Sequence, residues 1–178
     1  MFNNRFWVLL GIIGLAVASR LSGLNPPNFA PIAAIALFGG VYFTDKRLAF
    51  AVTFAAMLVS DMVLGFHWVM PFVYLAFGLI VGLGIVLRKY INPMSMLGGA
   101  LAGSVMFFLL TNMGVWMMFD YYPAGVEGLL ASYTAGIPFF KYTVAGDLFY
   151  TTVLFGSFEV AKRFSPSLKL QPIAETVR

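Results

Sequence analysis

The chain has no cysteine, one histidine and little charge: Asp, Glu, Lys and Arg make up 10% of its 178 residues. Without cysteine there is no disulfide, no thiolate metal site and no cysteine nucleophile. The lone histidine, His67, excludes a multi-histidine metal centre, although one imidazole can still bond a substrate. Also missing are Gly-x-Ser-x-Gly, His-Glu-x-x-His and the Gly-x-x-x-x-Gly-Lys-Ser/Thr phosphate loop, so the common hydrolase and ATPase chemistries have no residues to run on. Asp61 and Asp147 lack the Tyr-Asp and Gly-x-Gly-Asp contexts of aspartyl intramembrane proteases. The expectation is a protein that is not an enzyme and holds no cofactor or metal. Scarce charge has a second consequence. With 61% hydrophobic residues and a mean hydropathy of +0.90, too little polar surface remains to cover a soluble globule.

What charge there is falls in a pattern. Nine of the eleven basic residues form four groups that bound the apolar runs: Arg5; Lys46 and Arg47; Arg88 and Lys89; and Lys162, Arg163, Lys169 and Arg178. Keeping lysine and arginine on the cytoplasmic side requires two crossings between successive groups, hence an all-α membrane protein, a six-helix bundle with both termini inside. The expected spans are about 6–24, 31–43, 48–66, 72–87, 94–118 and 142–161, in one domain over 1–164 with a cytoplasmic tail at 165–178. Ala16-Val17-Ala18 also suits signal-peptidase cleavage, but a run continuing to Leu21 or Leu24 is long enough to be retained as a span. Asn25-Pro26-Pro27-Asn28 makes an outer turn, because the prolines lack the amide hydrogen a helix needs. Small residues mark close helix approaches: Ala30, Ala33, Ala34, Ala36, Gly39 and Gly40 around the second span, Gly78 and Gly82 in the fourth, and Ser95, Gly99 and Gly103 in the fifth. A long outer loop at 120–140 follows the fifth span. Between Pro123 and Pro138, residues 124–135 suit a short interfacial or re-entrant helix able to act as a lid.

In register, these spans put Arg20, Asp61, Asn112 and Asp147 in the outer part of the bundle, on the first, third, fifth and sixth helices. An ionisable group at that depth costs a few kcal/mol unless paired or wetted, so Arg20 is expected to pair with Asp61 or Asp147. Two readings stay open: a ligand pocket, or an ion-pair network that locks the helices. Aromatics crowd the same level, among them Trp68, Trp116, Tyr122, Phe139 and Tyr150. They serve either as an interfacial belt or as a pocket lining.

The segments Pro26-Pro27-Asn28-Phe29-Ala30-Pro31, Ala36-Leu37-Phe38-Gly39-Gly40, Ser60-Asp61-Met62-Val63-Leu64-Gly65, Thr111-Asn112-Met113-Gly114-Val115-Trp116, Ile137-Pro138-Phe139-Phe140 and Gly146-Asp147-Leu148 resemble those of a family of small, uncharacterised bacterial six-helix membrane proteins. That family is similar in turn to the S-components of energy-coupling factor (ECF) transporters. The resemblance implies a multi-pass protein of the bacterial inner membrane that binds a vitamin-like solute for uptake. Its partners would be membrane lipid and an ECF-type coupling subunit with ATPases, and not nucleic acid. The implied pocket residues are Arg20, Asn28, Asp61, His67, Trp68, Asn112, Trp116, Tyr122, Phe139, Asp147 and Tyr150. Ala30, Ala34, Gly39 and Gly40 would form the face that docks the coupling subunit. The BtuM-type cobalamin transporters are similar in size but use a cysteine on cobalt, which this chain lacks. The alternative from a different class is a structural or assembly protein with no transported ligand.

Overall fold

The computed structural model describes residues 4–168. Lys169, Pro172 and Arg178 lie outside the described residues. Six α-helices follow one another: α1 (Asn4–Leu21), α2 (Ile32–Tyr42), α3 (Lys46–Leu64), α4 (Met70–Leu87), α5 (Pro93–Met118) and α6 (Val126–Phe164), with no strand among the described residues. Short 3-10 helices follow α4 at Arg88–Tyr90 and α6 at Pro166–Leu168. The helix ends are written in the sequence. Asp45 caps α3 by accepting the Arg47 amide at 2.8 Å, and Asn92 caps α5 by accepting the Ser95 amide at 2.9 Å. Pro93 then opens α5, where its missing amide hydrogen costs nothing.

Four segments, Asn4–Leu21, Lys46–Leu64, Met70–Tyr90 and Pro93–Met118, are long and apolar enough to cross a membrane. Eighteen residues of helix rise about 27 Å, close to the hydrocarbon thickness of a bilayer. The eleven residues of α2 rise only about 16 Å. This short helix is the centre of the molecule. The other five stand in a ring in the order α1, α3, α4, α5, α6 and back to α1, and α2 packs against every one of them. All eleven of its residues are buried, as befits a helix that is apolar on every side.

The face expected to meet a partner is therefore turned inward. Ala34, Gly39 and Gly40 are buried within the chain's own bundle, and Ala30 is half-buried just before α2. Gly40 lies against Gly84 of α4 so closely that a Cβ on Gly84 would stand 2.5 Å from the Leu37 carbonyl oxygen, and one on Gly40 would overlap the Val81 carbonyl oxygen. The glycines that the sequence marks in α4 do not make this approach. Gly78 faces the Phe54 ring, and nothing lies within 4 Å of a Cβ built on Gly82.

Two arginines complete α2. A helix leaves its last carbonyls without partners, and here guanidinium groups supply them. Arg5 donates to the Tyr42 carbonyl at 2.9 Å; Arg88 donates to the Gly40 carbonyl at 2.6 Å, to that of Thr44 at 3.1 Å and to that of Phe43. Positive charge at a helix C-terminus also suits the helix dipole. Arg5, one of the basic residues expected on the inner side, is buried, with its guanidinium 5.4 Å from the Phe158 ring centre.

The outer connection differs from expectation. Of the expected loop over 120–140 the part up to residue 125 remains a connection, while the short helix at 124–135 and a sixth span beginning at 142 merge into one continuous helix of 39 residues, Val126–Phe164, that runs through Pro138. A proline removes one helical hydrogen bond and costs about 3 kcal/mol, a penalty that tertiary contacts can offset. Those contacts are present on α5. Ser132 donates to the Asn112 carbonyl at 2.8 Å, Tyr133 reaches the Leu109 carbonyl at 3.3 Å, and Gly136 sits tightly against Asn112 and Phe108.

Candidate functional site

Because α2, with 11 residues, is shorter than every helix around it, of 18 to 39 residues, the ring helices continue past its N-terminus and surround an opening. The opening is a cavity of about 470 Å³ at the end of the bundle opposite Arg5 and Arg88. Its wall takes Arg20 from α1, Asn28 and Ala30 from the proline turn, and Ile32 and Ala33 from α2. His67 precedes α4, which adds Val69 at its N-terminus, Val73 and Phe77; α5 supplies Phe107, Thr111 and Val115, and α6 gives Thr143 and Asp147. Six polar residues thus interrupt an apolar lining.

The turn that forms part of the rim is dictated locally. Phe29 donates its amide to the Pro26 carbonyl at 3.0 Å, closing a tight turn with Pro27 at its second position and Asn28 at its third, with φ +64°. Asparagine tolerates that left-handed geometry better than most residues. Gly146 lets α6 lie against this turn, since a Cβ there would stand 3.0 Å from the Phe29 Cα. Tyr150, 6% exposed, holds the same junction from one turn further along α6. Its hydroxyl donates to Asn25 Oδ1 at 3.0 Å and lies 2.6 Å from Ser19 Oγ.

The ionisable residues fall into two groups. Arg20 reaches across to α3, where it donates to Asp61 Oδ1 at 3.1 Å and to the Ser60 hydroxyl. Tyr74 of α4 donates to Asp61 Oδ2 at 3.1 Å, so the network joins three helices. Asp147 stands apart from it. Its Oδ2 accepts the Ser104 hydroxyl at 2.6 Å, and the residue is 3% exposed.

Of the residues expected to form a pocket, Arg20, Asn28, His67 and Asp147 line the cavity, with Asp61 behind Arg20. The others lie outside the lining. Asn112 turns its amide onto the Phe108 carbonyl at 2.8 Å, while its neighbour Thr111 faces the space. Trp116 donates to the Pro123 carbonyl at 3.1 Å and steadies the α5–α6 turn, and Tyr122 is half-buried nearby. Trp68 and Phe139 point outward, 76% and 52% exposed, as members of an interfacial belt do. The aromatic wall comes instead from Phe77 and Phe107, stacked with ring centres 5.2 Å apart.

The sequence does not single out Ser60, Ser104, Thr111 or Thr143, and it marks Tyr74 only as one of the aromatics at that level. Ser60 and Thr111 had a signal in their neighbours Asp61 and Asn112. Ser104 and Thr143 had none, since lone hydroxyls are ordinary in membrane helices, where they bond back to the preceding turn. Among the described residues, no three His, Cys, Asp or Glu side chains gather as a metal ion would require.

No curated protein and no solved structure matches this chain. A family model does match, that of the family of unknown function DUF6580, over residues 1–168.

Proposed function

Since the chain belongs to the DUF6580 family over nearly its whole length, we propose a function for it from its own geometry: a substrate-binding integral membrane subunit for uptake of a vitamin-like small molecule. The observation that carries this is the cavity above α2, a space of about 470 Å³ with polar groups converging from three helices and two connections. Ligand sites for small organic molecules occupy about 300–1,000 Å³ and combine apolar walls with a few placed polar groups. That size suits a compound of one or two rings and not a corrinoid.

The protein crosses the bacterial inner membrane with the Arg5 and Arg88 end inside, so that the cavity opens outward. It works as an S-component does, with lipid around it and an ECF-type coupling subunit and ATPases as partners. Because Ala34, Gly39 and Gly40 are buried, a coupling subunit would have to dock on the outside of the ring.

The purified protein in detergent, heated with a panel of vitamins, their precursors and similar heterocycles, provides the test. A ligand at 100 times its dissociation constant adds about 2.7 kcal/mol to the stability of a folded protein, which is a measurable rise in Tm. No rise with any compound, and no small molecule retained through purification, would count against uptake. One observation favours the other class: the Arg20–Ser60–Asp61–Tyr74 network joins α1, α3 and α4 without a ligand, as a structural or assembly protein would require.

A further inference from the structure

Resting on the reading of the cavity as a solute site, we propose that its ligand is an organic cation whose basic nitrogen is held by Asp147. The fixed charges of the wall do not balance. Arg20, the one lysine or arginine in the lining, is already matched by Asp61 at 3.1 Å. Asp147 has no such match. Its Oδ2 takes the Ser104 hydroxyl at 2.6 Å, and no described residue donates to Oδ1. Lys141, on the same helix, is exposed and lies 5.0 Å from the Tyr142 ring centre.

A carboxylate removed from water stays ionised at low cost only beside a counter-charge with directed hydrogen-bond donors. An ammonium group provides both at once, in the short, charge-assisted geometry that is stronger than a neutral bond. The rest of the wall fits the remainder of such a molecule. Phe77 and Phe107 offer stacked rings to an apolar or aromatic body, and Asn28 and Thr111 can meet a polar substituent. The opposite charge is disfavoured. The start of α2 carries no side-chain cap and opens on the same space, but a helix N-terminus counts for only about half a charge, and an anion there would still face Asp147.

Two shape-matched sets of probes separate the possibilities: phenethylamine, 2-phenylethanol and phenylacetate, then tryptamine, tryptophol and indole-3-acetate. Affinities are measured on the full chain in detergent. The amine of each set should bind about tenfold or more tightly than its alcohol and its carboxylate. In Asp147→Asn, which keeps an oxygen to accept from Ser104, that preference should vanish. An alcohol or carboxylate that matches the amine overturns the cation assignment, as does a preference that survives in Asp147→Asn. In those cases the cavity remains a solute site of another class. Binding by none of the six also overturns the assignment, and the vitamin panel then decides separately whether the uptake reading falls. Should the variant not fold, the wild-type comparison within each set stands alone.

Discussion

Asp61 and Asp147 are both buried carboxylates within helices, 4% and 3% exposed, yet one has a cationic partner and the other does not. Removing one member of a buried pair strands the other charge and costs about 3 kcal/mol, whereas replacing both by apolar groups of similar size costs much less. Asp61→Leu should therefore destabilise the protein strongly, and the Arg20→Leu/Asp61→Leu double variant should recover much of the loss. Denaturant unfolding of the two single variants and the double in mixed micelles measures the coupling. A double variant as unstable as the sum of the singles would show that the contact is incidental. The exceptional character of these residues was legible in the sequence, because a charge at that depth is rare. Their pairing was not. Arg20 and Asp61 lie on helices that meet only through the ring order, and no local pattern selects Asp61 over Asp147.

At the level of the helices, α2 explains both the tight packing and the open space. It must be narrow where it crosses α4, which fixes glycine at positions 40 and 84, and short, which leaves the cavity above it. Gly84→Val would place side-chain atoms on the backbone of α2, where neither helix has a flexible group to move aside. A loss of about 3 kcal/mol or more is expected, at the upper end for overpacking. Gly82→Ala, two residues away with nothing within 4 Å of the new Cβ, should be neutral or gain up to about 1 kcal/mol from helix propensity. Thermal unfolding of the two variants tests the contrast, and equal effects would refute the crossing. The number of helices and most of their ends could be read from charge, proline and capping residues. Which helix lies at the centre could not, because in a membrane a face turned to lipid is as apolar as a face turned to protein. Pro138 misled for a related reason: a helix breaker identified by its local effect persists when a neighbour such as α5 holds the turns before it.

For the molecule as a whole, function depends on which end faces out. The basic residues from Arg5 to Arg163, Arg20 and Lys141 apart, gather at the end opposite the cavity. Two of them, Arg5 and Arg88, bond to backbone carbonyls of α2 or its C-terminal flank and so serve the fold as well as the topology. Lys46, Arg47 and Arg163 at that end are exposed, so under the proposed orientation the positive-inside rule would place it in the cytoplasm. The chain is a cysteine-free background, so one introduced thiol reports its own side. Leu24→Cys and Val126→Cys lie at the cavity end, on residues 86% and 72% exposed, and should react with a membrane-impermeant maleimide in intact cells. Thr44→Cys and Met94→Cys lie at the basic end and should react only after the membrane is opened. The reverse pattern would place the cavity on the cytoplasmic side, where a binding protein for uptake would meet its solute only after transport was complete.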